Sequence, residues 1–187
     1  MPRSAQSRAT RAPRTFFNPR FVGTERRRAY RLAYILFWSI LLYFFFSRFV
    51  VGVGIVTDRS MYPTLHEGDY FLINKYLYRI RQPTRGEIVV LHPRAYDTDE
   101  YVKRVIALAG ETLEIREGAV FINGDRLREP YAAGRTGPNL GPLIIRSDHC
   151  FVMGDNREDS FDSRRFGAVP RSNLQGKIKP GEWFPLG

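Results

Sequence analysis

The chain has a single cysteine, Cys150, among 187 residues. That excludes an intrachain disulfide and a thiolate zinc site, and leaves the compartment open. Acidic residues are scarce at one end only. Residues 1–31 hold nine Arg and one Glu, whereas the remaining 156 hold 20 Lys+Arg against 18 Asp+Glu. The formal charge of +10 therefore belongs to an N-terminal tail, and the near-neutral remainder argues against nucleic acid as a partner. No repeat is present, and no long amphipathic helical pattern follows the first third of the chain. What is abundant is apolar: 43% of residues, with 14 Phe and 10 Tyr, which excludes wholesale disorder in a chain of about one-domain length.

The longest uncharged run is LAYILFWSILLYFFFS, Leu32–Ser47, 16 residues. As a helix it covers about 24 Å, slightly less than a hydrocarbon layer of about 30 Å. Arg31 and Arg48 bracket it and can snorkel to the interface, and Tyr30, Tyr34 and Trp38 add aromatic weight there. Apolar Phe49–Val56 leaves room for a longer, tilted span. A cleaved secretory signal would have a short charged start and small residues at its end. Here about thirty residues precede the run, and Phe44-Phe45-Phe46 closes it. Hydrophobicity all round the wheel beside an Arg-rich flank also disfavours a buried core helix. The sequence thus predicts an Arg-rich cytoplasmic tail without fixed structure (1–28), a transmembrane anchor (29–50) and an extracytoplasmic β-rich domain (51–187). The Arg excess places the N-terminus in the cytoplasm. An Arg-rich, acid-poor start also suits mitochondrial targeting, so a bacterial inner membrane and a mitochondrial inner membrane are both compatible.

After the anchor the chain reads as short strands and turns. Tyr70–Tyr78, Glu87–Leu91 and Tyr101–Leu108 are rich in β-branched and aromatic residues. Thr112–Arg116 and Ala119–Asn123 flank Glu117-Gly118 as a hairpin, and Asn123-Gly124 turns into Asp125–Leu127. Arg135–Pro142 reads as a Gly/Pro loop and Leu143–Met153 as strand. The predicted class is mainly β behind one N-terminal transmembrane helix.

Three segments carry polar residues in patterns that chemistry uses. In Ser60-Met61-Tyr62-Pro63-Thr64-Leu65 a serine precedes a Pro-stiffened turn that can fix its Oγ, although most serines beside prolines are ordinary turn residues. In Tyr101-Val102-Lys103-Arg104-Val105-Ile106 strand alternation puts Lys103 with Tyr101 and Val105, opposite Val102 and Ile106. Burial of that face would disfavour the ammonium and leave an amine able to take a serine proton. Periodicity alone favours a surface lysine on an edge strand. Gly154–Gly167 (GDNREDSFDSRRFG) is dense in short polar residues and reads as a hydrogen-bonded loop. Its carboxylates invite a calcium reading, but the sixth-position glycine is missing and Phe166 stands where the twelfth-position carboxylate would be.

Taken together and in order, SMYPTL, YVKRVIALAGE and GDNREDSFDSRRFG, with RGEIVVLHP between the first two, resemble type I signal peptidases, over roughly Thr57–Pro170. The resemblance implies a membrane-anchored serine protease that removes N-terminal signal peptides from secreted preproteins after small residues, of the Ala-x-Ala kind. By the same match Ser60 is the nucleophile, Lys103 the general base and Ser160 the hydroxyl that orients the lysine. Arg104, Asp155, Asp162 and Arg164 brace the surrounding loop. Met61, Leu65, Tyr101 and Val102 line a shallow pocket for the substrate's last residue before the cut. No histidine takes part, so His66, His92 and His149 are expected in solvated or turn roles, and no metal or organic cofactor is implied. The implied partners are signal peptides, the lipid bilayer and, by proximity, the secretion translocon. Tethering in the bilayer that holds the substrate's apolar segment raises the effective concentration of enzyme at the cut. The short connection between Asn123 and Cys150 marks a near-minimal form beside larger members with a second subdomain there.

One stretch departs from the pattern. Many family members place Ser or Thr two residues before the nucleophile, where its hydroxyl joins the serine's own N–H in the oxyanion hole. Here that position is Asp58, in Thr57-Asp58-Arg59. A carboxylate cannot donate and repels an oxyanion, and loss of one such donor costs on the order of a hundredfold in rate. The neighbours to take its place are Thr57 and Arg59, and Asp58→Ser is expected to raise turnover. The same departure supports two rivals, a maturation peptidase dedicated to one client such as a pilin, and a catalytically impaired signal-peptide-binding relative. Retention of Ser60, Lys103 and Ser160 together opposes the second. Self-cleaving Ser–Lys repressors lack an anchor and act with DNA, which this chain does not match.

Overall fold

In a computed structural model of the chain, residues 19–94 and 98–179 are described. The first element is a helix, α1, Pro19–Phe49. It takes in residues 19–28, which the composition of the tail left without structure. Pro19 has its φ preset for a first helical turn, and the Arg run that follows is made of good helix formers. Residues 1–18 lie outside the described part. Among the described residues α1 is the one helix long and apolar enough to cross a membrane: Glu25–Phe46 is 22 residues of mean hydropathy 1.6, none buried. At 1.5 Å per residue that is about 33 Å.

The apolar run continues past the helix, but there the backbone changes geometry. Val51–Ile55 is a strand, β1, not an extension of the span. It pairs antiparallel with β2, Tyr70–Asn74, from Val51 opposite Asn74 to Ile55 opposite Tyr70. β2 stops four residues short of the predicted end. The Lys75 N–H turns to the Val50 carbonyl, and Asn74 Oδ1 accepts from the Leu77 N–H to open a one-turn helix, α2, Leu77–Ile80.

The remaining strands are β3 (Ile88–Leu91), β4 (Tyr101–Ala107), β5 (Thr112–Arg116), β6 (Ala119–Ile122), β7 (Asp125–Arg126), β8 (Leu140–Ile144) and β9 (His149–Met153), then the short α3 (Ser163–Phe166), β10 (Val169–Pro170) and β11 (Leu174–Ile178). They form a seven-stranded sheet, β1-β2-β11-β3-β4-β9-β10, and a four-stranded one, β7-β6-β5-β8. The β5–β6 hairpin turns on Glu117 (φ 54°) and Gly118 (φ 77°), the paired left-handed conformations that a two-residue hairpin turn requires. The expected Leu143–Met153 strand is instead two strands, β8 starting inside the predicted Gly/Pro loop, with the break at Asp148 (φ 60°).

β4 lies inside the larger sheet, between β3 and β9, not on an edge. Alternation along the strands sorts side chains onto its two faces. Ile88, Val90 and Val102 join Val56, Met61, Leu65, Phe71, Ile73 and Ile178 on one; Val89, Leu91 and Val105 join Tyr78, Cys150, Val152, Val169 and Leu174 on the other. A third cluster, with Ile106, Leu113, Ile115 and Phe151, packs the smaller sheet against the ends of β4 and β9. Each such fully buried side chain contributes roughly 1.5–3 kcal/mol. That core is the rigid floor on which the polar segments sit.

Candidate active site

Ser60 follows the loop that leaves β1 and opens a tight turn, in which the Tyr62–Pro63 peptide is cis and the Leu65 N–H returns to the Met61 carbonyl. Ser60 is 5% exposed, and Lys103, in the middle of β4, only 1%. The structure brings them together across 43 positions of sequence: Lys103 Nζ donates to Ser60 Oγ at 2.5 Å. Among the described residues Lys103 forms no ion pair.

The loop after β9 holds the Ser60 backbone. The Asn156 N–H donates to the Ser60 carbonyl at 3.0 Å, and Asn156 Nδ2 donates to the Arg59 carbonyl at 3.1 Å. Asp155 lies between two segments: it accepts Arg104 Nε and Nη2 at 2.8 and 2.6 Å, and Thr64 Oγ1 at 2.5 Å. Arg104 also stacks on Tyr131, 4.0 Å from guanidinium to ring centre. Further on, Asp162 accepts from the Gly154 N–H at 3.0 Å and from Arg164 Nε and Nη2 at 2.8 and 2.7 Å, and it caps α3. Arg157, buried, donates to the Gly154 carbonyl, to Thr136 and to Glu129, tying the 129–136 segment to the same loop. The carboxylates Asp155 and Asp162, which had suggested a cation, are thus each neutralised by an arginine. Among the described residues no group of three or more His, Cys, Asp or Glu side chains could hold a metal.

Gly154 is required by close approach. A Cβ there would overlap Ser160 Oγ and the Ser60 carbonyl oxygen. Ser160 is 9% exposed and completes no hydrogen bond among the described residues, although it lies near enough to Asp162 to help hold that carboxylate ionised. The hydroxyl expected to orient Lys103 is thus near the Ser60 backbone, and among the described residues the lysine's one side-chain hydrogen bond goes to Ser60.

Charge is balanced unevenly. Burial pushes the Lys103 amine below the usual lysine range; Asp58 and Asp162 oppose this, and Arg164 adds to it. Burial would raise Asp162, but the hydrogen bond and charge of Arg164 outweigh it and hold the carboxyl low. Burial also pushes the Cys150 thiol up to about 12, so it is chemically inert at neutral pH.

Of the four residues matched to the substrate pocket, Met61, Leu65 and Val102 share one apolar cluster. Tyr101 lies on the opposite face, its ring 5.6 Å from Lys103 Nζ and 6.2 Å from Phe161. Asp58 points at Ser60: its Oδ1 accepts from the Ser60 N–H at 2.8 Å. Thr57 and Arg59 are exposed, and Arg59 faces Glu67 at 3.8 Å. The histidines lie elsewhere, His66 against Tyr62, His92 on the Asp99 carbonyl and His149 on the Ser147 carbonyl. Sequence reasoning missed Asn156, Thr64 and Arg157. All three sit inside or beside the recognised segments, but only the folded loop shows what they bind.

Comparison with known proteins places the chain in a family. The family described as signal peptidase, peptidase S26, matches residues 29–183. A probable signal peptidase I-2 from Synechocystis is 38% identical over 150 residues, 78% of this chain and 69% of that protein. Signal peptidase I of Leptolyngbya laminosa is 35% identical, covering 78% and 75%. Signal peptidase I P of Bacillus subtilis subsp. natto is 35% identical, covering 74% and 80%. A crystal structure of a signal peptidase I from Enterococcus faecalis is 30% identical, with a TM-score of 0.48, covering 53% of this chain and 98% of that one. With a family match across most of its length and relatives above 30% identity, the chain belongs to the signal peptidase family, peptidase S26.

Proposed function

We propose that this signal peptidase cuts signal-peptide-bearing preproteins after a small residue, with Ser60 as nucleophile and Lys103 as general base. The observation that carries the reading is the 2.5 Å contact between Lys103 Nζ and Ser60 Oγ, with the lysine buried and, among the described residues, in no ion pair. A lysine serves as a base only when neutral, and burial favours the neutral amine. With the amine neutral, the same contact runs the other way, the serine hydroxyl donating to the nitrogen lone pair.

Oγ then attacks the scissile carbonyl while its proton passes to Lys103. The tetrahedral oxyanion collapses as the ammonium returns that proton to the leaving amine. A water deprotonated by the same lysine hydrolyses the acyl-enzyme. Ser60's own N–H is the nearest donor for the oxyanion. The apolar wall of Met61, Leu65 and Val102 suits a small side chain before the cut. The helix α1 anchors the enzyme in the bilayer that holds its substrate, N-terminus in the cytoplasm and catalytic domain outside, at a bacterial inner membrane and near the secretion translocon.

The test is cleavage of a preprotein with an Ala-x-Ala site by the full chain in lipid, beside Ser60→Ala and Lys103→Ala, with the product's N-terminus sequenced. Cleavage after the small residue by the unsubstituted chain alone is expected. Cleavage that survives either substitution overturns the dyad.

A further inference from the structure

We propose that Asp58 is a latch on the nucleophile: its carboxylate holds the Ser60 N–H in the resting enzyme, and productive substrate must displace it. The inference rests on Ser60 being the nucleophile.

The geometry is direct. Asp58 Oδ1 accepts from the Ser60 N–H at 2.8 Å, and an N–H held by a carboxylate is engaged more strongly than one held by a neutral carbonyl. When Oγ attacks, the oxygen of the tetrahedral centre needs that same N–H. Two anions cannot share one donor at this range without strong repulsion in a partly dry site. Asp58 therefore does more than withhold the donor that a hydroxyl at its position would supply; it occupies the donor that remains.

Asp58 is also built to move, unlike the other acids of the site. Asp155 and Asp162 are fully buried, each bound by two nitrogens of an arginine. Asp58 is exposed, and among the described residues it forms no ion pair. It can swing into water at the cost of one hydrogen bond. Its departure acts on the lysine as well. Among the charges around Lys103, Asp58 does most to favour the protonated amine, ahead of Asp162, while Arg164 opposes. One side chain thus restrains both halves of the dyad, and substrate that displaces it releases both. A bond from Asp58 to the N–H two residues on is also the pattern of a local turn brace, so the test must separate a latch from a brace.

The full chain in lipid vesicles is assayed as Asp58→Ser, Asp58→Ala and Asp58→Asn, with kcat for a peptide substrate and affinity for a peptide boronate. The boronate forms a tetrahedral anion on Ser60 Oγ and reports the oxyanion site alone. Ser and Ala are expected to raise kcat by about tenfold or more, with boronate affinity rising in proportion. Asn, which still accepts the N–H but without charge, falls between them and the unsubstituted enzyme. Thermal unfolding checks each fold; if Ala unfolds, Asn decides, since it keeps the brace. A kcat at or below the unsubstituted value in folded variants, or a gain in kcat without a gain in boronate affinity, overturns the latch. Ser60→Ala runs alongside: cleavage that persists there defeats the nucleophile assignment and not the latch.

Discussion

Two lysines stand in one row of the larger sheet and meet opposite fates. Lys177 on β11 and Lys103 on β4 both register with Val89 of the strand between them, so they share a face about 10 Å apart. Lys177 is about one-third exposed and donates to Glu87 at 2.8 Å. Glu87 also receives Arg81, the Thr84 N–H and Tyr78, and although burial would raise it, these donors hold its carboxyl at about 2. Among the described residues Lys103 has no such counter-ion: the acids near it are bound to Arg104 and Arg164, or turned to the Ser60 N–H. The difference teaches how the fold would make the proposed base. Burial pushes an amine toward the neutral form where the carboxylate is withheld, and a lysine supplied with a carboxylate is held as a structural cation.

Replacing each lysine by methionine sharpens the contrast most. Lys103→Met is expected to lower kcat by about 10²–10⁴-fold, the worth of a general base. It is also expected to raise the unfolding free energy in urea, by about 1 kcal/mol, because a buried amine whose one side-chain bond is to a hydroxyl gives way to a hydrocarbon. The pH dependence has a fixed sign. The folded pKa of Lys103 lies below the unfolded one, so native stability falls as pH drops from about 10.5. The advantage of methionine therefore grows toward neutral pH. Lys177→Met is expected to leave kcat unchanged and to cost about 1 kcal/mol, one charged hydrogen bond at a partly exposed site. Equal stability changes for the two would erase the contrast.

Glu87→Gln tests the same contrast from the acid's side. It leaves Arg81 and Lys177 short of their partner and is expected to cost about 3 kcal/mol in urea unfolding at neutral pH. A carboxyl held at about 2 against an unfolded value near 4.5 contributes in full above the higher figure and is lost as pH falls to the lower. The gap between enzyme and variant should therefore close between those two pH values. A gap independent of pH would show that packing, not charge, is what Glu87 supplies.

The long apolar helix was legible because composition and length suffice to read it, and the β5–β6 hairpin because its turn residues demand left-handed dihedrals. The three polar segments were legible from their order. The state of Lys103 was not. Alternation puts it on a face but does not say that the face is covered; that depends on β3 and β9, the latter nearly fifty positions away, which make β4 an interior strand. β11 comes from the far end of the chain to lie between β2 and β3, and no local pattern announces it. Asp58 was recognised as a departure from its residue type, but that it holds the Ser60 N–H is a matter of backbone dihedrals.

The smallest expected effect on stability belongs to Ser160, and it separates a working hydroxyl from a packing one. Its Oγ is buried without a bonded partner, against the backbone of Ser60 and the space where Gly154 has no side chain. The cost of burying that hydroxyl and its help to Asp162 roughly offset, so Ser160→Ala is expected to change the unfolding free energy by no more than about 0.5 kcal/mol. At rest the folded chain gains from such a group only its help in holding the Asp162 carboxylate ionised. It gains something more when Lys103 has taken the Ser60 proton and, as an ammonium, has three N–H groups to place. kcat should then fall about tenfold in the alanine variant with KM unchanged, since the bond forms only once the proton has moved. Loss of stability with kcat retained would make Ser160 a packing residue, and the lysine would be oriented by burial and Ser60 alone.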